Sequence, residues 1–296
     1  MSLKRRTTFF GGRVGGFKHI KIEGRLAAKG QRGENIFGAG IGLKNSKANV
    51  FIQPQEMIRL FTTWYQSSHS ALQAELDECL QRNLANPHLD QICLWQDSGA
   101  PLTPHPKILV RRETLQADFD DYFAWANAIS QPDDIAIIAN TDIWFDDTIR
   151  LAKTVTSEQV FALLRRETDG QPVLNHAGQP RWDSQDVWVF RTPIQHVGAD
   201  YGLGTMHTDN ALAYRLWKSG YDLRNPATDI HLHHLHTSQV RRPQYNTIRI
   251  APPWLDIEPG TLDYKPRFKF IRKTFNLNWV FRRWQRRLTP KAERPR

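Results

Sequence analysis

Asn140-Thr141-Asp142 is the first place in this chain where residue types and spacing suit chemistry. The triplet follows an apolar run, Ile135 to Ala139, and precedes Asp146-Asp147 and a helix-like stretch over 148–153. The run reads as a buried strand of a mainly parallel sheet, delivering polar side chains at its carboxyl end. Open α/β sheets bind ligands at that edge. An Asn-x-Asp there offers oxygen ligands to a hard divalent cation carrying a diphosphate; the plain alternative is that Asp142 caps a turn.

Two further groups could converge on the same edge. Thr208-Asp209-Asn210 follows a Gly202–Gly204 turn and opens a helix. The dipole and free N–H groups of a helix start keep a carboxylate ionised, which suits either a general base or an N-cap. The third group is the histidine run His231, His233, His234 and His236. Alternate residues of a strand share a face, so His234 pairs with His236 and His231 with His233. Imidazole binds transition metals well, and one such histidine beside Asp142 favours manganese over calcium. Two histidines per face are too few for a stand-alone zinc site, and core or surface histidines are the plain alternative.

These groups need elements to position them. Strands are expected at 48–53, 89–95, 107–110 and 134–139, alternating with helices over about 56–84 and 115–129. The first helix carries Leu72, Leu76, Cys79, Leu80 and Leu84 on one face. Such alternation is the signature of a doubly wound sheet. Beyond it, strands are expected at 159–164 and 186–190, separated by a polar excursion over 167–184. A helix at 209–219 stops at Gly220, and 229–236 is strand-like.

Composition bounds the rest. The 296 residues include 40% hydrophobic residues and ten Trp, enough for a sizeable core. No run reaches the roughly eighteen apolar residues of a membrane span, and the basic, Gly-rich start does not read as a signal peptide. Two cysteines, Cys79 and Cys93, make no disulfide framework, so a cytoplasmic setting is the default. Net charge is +10 overall; residues 1–47 carry +9 and 265–296 carry +11, which leaves −10 for 48–264. An acidic body with two basic ends suits an anionic surface, or tails that only aid solubility.

The order of these stretches carries a resemblance. Asn140-x-Asp142 with Phe145-Asp146, then Gln185-Asp186 and its strand, Thr208-Asp209-Asn210 with Gly220-Tyr221, Asn225-Pro226, and His234-x-His236 through Arg241 look like the bacterial family 2-like glycosyltransferases of the GT-A fold. The resemblance implies one GT-A-like α/β domain over 48–242, a basic Gly-rich arm at 1–47 and a basic, aromatic-rich extension at 243–296. It further implies a nucleotide-sugar donor (UDP- or GDP-linked), a divalent cation (Mn2+ or Mg2+), and a glycan or lipid-linked acceptor. Asp142 would bind the metal together with His234 or His236, the latter favoured. Asn140 stands where a first Asp is common and would make a ribose or second-sphere contact. Asp209 falls at the position of the catalytic base. Arg112, ahead of the helix that leads to Asn127, matches a donor-binding Arg, while Gln53, Pro54 and Asp97 end strands where the nucleotide base lies. Thr208 and Asn140 depart from the family's commoner residues.

Within the C-terminal extension, Trp279, Trp284 and Leu288 beside Arg282, Arg283, Arg286 and Arg287 form the pattern of an interfacial helix on anionic lipid, or of a helix packed on the domain. Peripheral attachment to the inner face of the membrane would suit a lipid-linked acceptor. The rival class is a nucleic-acid-binding protein with basic arms, against which the acidic body argues. A non-catalytic sugar-nucleotide-binding homologue is a second alternative, kept by the missing first Asp.

Overall fold

A strand stands at the centre of the sheet where the sequence suggests a helix. Ile58–Trp64 (β1) is buried along its whole length and pairs in parallel with Gln91–Gln96 (β2) on one side and Ile135–Ala139 (β4) on the other. The helix expected over 56–84 therefore starts only at Ser70 and ends at Ala85 (α1). Residues 58–64 are rich in β-branched and aromatic types, and two parallel partners decide their state where the local pattern does not. The computed structural model describes residues 55–96, 99–238, 240 and 249–272. Gln53, Pro54, Asp97, the strand expected at 48–53, the N-terminal arm and the Trp279–Leu288 stretch lie outside them.

The sheet is completed by Ile108–Arg112 (β3), Gln159–Leu163 (β6), Val187–Arg191 (β7) and Asp222–Arg224 (β8). Its order is β3-β2-β1-β4-β7-β6-β8, and only β7 runs against its neighbours. This is the mainly parallel α/β sheet that the resemblance implies. Both faces are covered, as doubly wound sheets require. Phe61, Ala136 and Ile138 point into a core shared with Phe119–Ile129 (α2) and Thr208–Lys218 (α3), whereas Leu60, Ile137 and Leu94 face α1. Burying each large side chain contributes about 1.5–3 kcal/mol.

Two local devices aim the ends of these elements. Asp118 and Asp121 form a capping box that starts α2. Asn83 on the buried face of α1 and Asn86, the C-cap that follows it, bind the main chain of a short strand, Ile143–Phe145 (β5): Asn83 Nδ2 donates to the Ile143 carbonyl at 2.9 Å and Asn86 Nδ2 to that of Phe145 at 3.0 Å. A 3-10 helix, Asp147–Thr154, follows β5. β5 in turn pairs antiparallel with Leu232–His234 (β9), which is shorter than the strand expected over 229–236.

Beyond residue 242, described segments also pack on the core. Trp254–Ile257 (β10) and Phe268–Ile271 (β11) form a hairpin, and Ile250, Leu255 and Ile257 are buried in the core that contains α3. No helix among the described residues is long and apolar enough to cross a membrane.

Asp134 pins the start of β4 to β1. It accepts from the backbone amides of Met57 at 2.9 Å and Gln131 at 2.8 Å, and forms a buried pair with the Arg59 guanidinium. Burial opposes its ionisation, but these hydrogen bonds outweigh it and hold the carboxyl below its ordinary value of 3.8. Breaking one partner of such a pair costs about 3–5 kcal/mol. A folded pKa below the unfolded one stabilises at pH above the unfolded value and is lost as pH falls through the folded one. Urea denaturation should thus show Asp134→Asn destabilised by about that amount at pH 7, with the gap to the wild type narrowing below about pH 4.

Candidate active site

Three strand ends meet in one cleft. β4 ends at Ala139 and releases Asn140, Thr141 and Asp142; β6 ends at Leu163 and releases Arg165 and Glu167. β7 is antiparallel, so it begins at this edge, where Ser184 and Asp186 precede it. The start of α3 adds Asp209, and the segment around β9 adds His234 and His236. All of these but Glu167, together with Thr63, Tyr65, Leu72 and Arg181, line a cleft of about 420 Å³.

The β5–β9 ladder puts Ile143 opposite His234, so Asp142 and His234 lie at one end of it. His234 Nε2 is 3.2 Å from Asp142 Oδ2, and His236 stacks on the His234 ring with centroids 5.1 Å apart. The expected alternation therefore holds past the end of the strand: His234 and His236 face the cleft. His231 and His233 turn the other way, 3.4 and 3.1 Å from Asp146, with Trp144 stacked on His233. Asp146 also caps the 3-10 helix, so this pair is structural.

Asn140 and Asp142 are the two ends of a nearly closed ring of polar contacts. Asn140 donates to Asp186 at 3.1 Å, and Asp186 takes both carboxylate contacts from Arg165 Nη1 at 3.1 and 3.0 Å. Arg165 Nε donates to Glu167 at 2.9 Å, Glu167 meets His234 Nδ1 at 3.2 Å, and His234 returns to Asp142. Thr141, between the two ends, donates its hydroxyl to the Thr63 carbonyl at 3.0 Å and fixes the turn to β1. Asn140 thus contacts a carboxylate rather than standing open to a cation.

Electrostatics follow from these contacts. Burial alone would lower the His234 pKa, but its bonds to Asp142 and Glu167 raise it to about 9. The His234 bond brings Glu167 down to about 2. Burial disfavours the Asp142 carboxylate, yet the His234 bond and the charges of His234 and Arg165 leave its pKa below the ordinary value. Asp209 behaves in the opposite way. Burial first and the Asp186 charge second push its pKa well above 3.8, against the pull of Arg165 and the Gln185 amide. Its neighbour His207, left-handed at φ 65°, occupies the N-cap position of α3, so Asp209 lies inside the first turn and is not the cap.

The donor set fits a divalent cation. One carboxylate oxygen of Asp142 and one nitrogen each of His234 and His236 lie within 4.8 Å of one another. A first-row cation binds such donors at roughly 2.1 Å and leaves them about 3–4 Å apart, so a small contraction completes the site. Glu167 on Nδ1 leaves Nε2 of His234 directed at the site, the outer carboxylate that metal-binding histidines usually carry.

Two sequence-based assignments do not come to this cleft. Arg112 ends β3 and donates to Gln96 at 3.1 Å. Asn127, on α2, uses its whole amide on Ile194, donating to the carbonyl at 2.8 Å and accepting the N–H at 2.7 Å, which ties down the segment after β7. The cleft-lining arginines are instead Arg165 and Arg181. Arg165 and Glu167 were legible by the same rule that picked out Asn140 and Asp142, because they too follow the carboxyl end of a buried strand.

No protein-family model and no curated protein matches the chain. Among solved structures it is similar to a mannosyltransferase from Pyrobaculum calidifontis in complex with GDP-Man and Mn2+, at 15% identity and a TM-score of 0.40, covering 64% of this chain and 58% of that one. It is also similar to GalNAc-T7 with UDP, GalNAc and Mn2+, at 9% identity and a TM-score of 0.41, covering 67% and 45%. A third is the Francisella tularensis 2-C-methyl-D-erythritol 4-phosphate cytidylyltransferase, at 16% identity and a TM-score of 0.32, covering 47% and 74%. Likeness of this degree leaves function to be argued from the cleft.

Glu167 should govern the charge of His234. In the metal-free protein, nitrogen-detected NMR titration should place His234 near pH 9. Glu167→Gln removes an acceptor of the imidazolium proton and should move that titration to lower pH.

Proposed function

We propose that the chain is a nucleotide-sugar-dependent glycosyltransferase, moving a sugar to a hydroxyl of a glycan or lipid-linked acceptor with inversion. One observation carries this reading: Asp142, His234 and His236, a set able to hold a cation, share a cleft with Asp209, a carboxylate whose proton affinity is raised. The ordered resemblance along the chain supports it and supplies the setting, surface-polysaccharide assembly on the cytoplasmic side of a membrane.

Asp142, His234 and His236 would hold the cation, and two imidazoles favour Mn2+ over Mg2+. When bound, the cation supplies Lewis-acid neutralisation of the donor's diphosphate. Asn140 and Thr141 are held by Asp186 and Thr63, so the loop that presents Asp142 is fixed before any donor arrives. Arg165 sets the charge balance between the two halves of the cleft, because its guanidinium faces Glu167 on one side and Asp186 on the other.

On the acceptor side, Asp209 takes the proton from the attacking hydroxyl. The new bond forms between that oxygen and the anomeric carbon as the bond from that carbon to the phosphate oxygen breaks, and the nucleoside diphosphate leaves with the bonding pair. A carboxylate with a raised pKa is the stronger base, and general-base catalysis contributes typically ~10²–10⁴-fold. A single carboxylate in this position suits one displacement, hence inversion.

Asp209→Asn should lower turnover by about 10²–10⁴-fold while nucleotide binding is nearly intact. Unchanged transfer rates in that variant would remove Asp209 from the mechanism. Only ionised Asp209 is a base, so kcat/KM should rise with pH through a limb above the ordinary carboxylate value of 3.8. Asp186→Asn removes a repelling charge and leaves Arg165 more available to Asp209, so the limb should move to lower pH. Asp142→Ala should weaken Mn2+-dependent UDP or GDP binding in calorimetry; equal affinity would refute the assignment.

A further inference from the structure

The segment that carries His236 hangs between two anchors of different kinds. Up to Leu235 it is held by main-chain bonds: His234 N–H donates to the Arg166 carbonyl at 2.8 Å and Leu235 N–H to the Asp142 carbonyl at 3.0 Å. Beyond His236 it is held by a buried side chain, Glu75 on α1. Its Oε1 accepts from Thr237 Oγ1 at 2.7 Å and from the Ser238 amide at 2.5 Å, and its Oε2 accepts from Ser238 Oγ at 2.8 Å. His236 is the residue between the two anchors.

Glu75 is an unusual occupant of its position. It lies on the buried face of α1 between Leu72 and Leu76, and it is only 5% exposed. A buried carboxylate needs partners that satisfy its oxygens. Here the three donors come from two consecutive residues of a segment more than 160 positions away. Burial opposes its charge, and the Thr237 and Ser238 bonds, with the charge of His236, outweigh it and keep the pKa below the ordinary value. α1 is itself fixed to β5 through Asn83 and Asn86, so Glu75 is rigidly placed relative to Asp142 at the start of β5.

We propose that Glu75 is a positioning residue for the cation site: by gripping Thr237 and Ser238 it holds His236 within ligating distance of Asp142 and His234. The inference rests on the cation reading of that cluster. Glu167 acts on His234 through a ring nitrogen, whereas Glu75 acts on His236 through the backbone that follows it. The two carboxylates thus set the two histidines from opposite sides, and Glu75 does so from an element that carries none of the ligands. Partners outside the ligand shell commonly alter metal affinity by about 10–100-fold.

Mn2+ binding to the full-length protein without nucleotide tests this, read as loss of the free-ion EPR signal and as imidazole nitrogen couplings on the bound ion. The wild type should show two nitrogens. Glu75→Ala should bind Mn2+ about 10–100-fold more weakly and show one nitrogen. Glu75→Gln, which keeps the shape and can still bond Ser238 and Thr237, should stay within about threefold of the wild type, showing that the grip rather than the charge is what matters. Should Glu75→Ala fold poorly, Thr237→Val combined with Ser238→Ala removes the grip from the other side and should reproduce the loss. Wild-type affinity and two nitrogens in either grip-breaking variant would overturn the role of Glu75 and leave the cation site standing. A wild type that binds no Mn2+ would instead overturn the cation reading, and this proposal with it.

Discussion

The antiparallel ladder between β5 and β9 is the constraint on which the site depends. Three residue pairs, ending in Ile143 opposite His234, join stretches of chain about ninety positions apart. Loop-closure entropy of that size must be met by contacts elsewhere, and it is met on both flanks. Asn83 of α1 and its C-cap Asn86 bind the β5 main chain, and Arg166 exchanges backbone bonds with Leu232 and His234 on the far side of β9. With the ladder in place, side-chain alternation alone sends one histidine pair to Asp142 and the other to Asp146.

Around that ladder the cleft divides electrically. On the side of Asp142, His234 and Arg165 face two carboxylates, Asp142 and Glu167, and both stay ionised. Toward α3, Asp186 and Asp183 crowd Asp209 and raise its proton affinity. Arg165 stands at the boundary, paired with Glu167 and Asp186. Two carboxylates of one cleft are thereby pushed in opposite directions, which is the arrangement expected where one holds charge and the other moves a proton.

Much of this was legible in the sequence, and the misses have physical reasons. Asn140, Asp142 and Asp209 could be found because strand ends and helix starts leave local signals. The histidine pairs could be sorted because the strand period is two. The β1 strand is not legible because Arg59, Thr62 and Thr63 interrupt its apolar residues without strict alternation, so its period is ambiguous until parallel partners are known. Arg112 and Asn127, donor contacts that the resemblance implies, lie outside the cleft lining, with their side chains bonded to Gln96 and Ile194. Glu75 carries no local mark at all: it sits within an amphipathic helix, and only tertiary contact reveals what it holds. The share of β10 in the α3 core was hidden by a short strand among prolines.

Anomalous diffraction at the manganese edge, from crystals grown with Mn2+ and a nucleoside diphosphate, would locate the cation itself. One strong peak is expected among Asp142 Oδ2, His234 Nε2 and a His236 ring nitrogen. A cleft in which the nucleotide is bound but no anomalous density lies among those three side chains would contradict the cation reading.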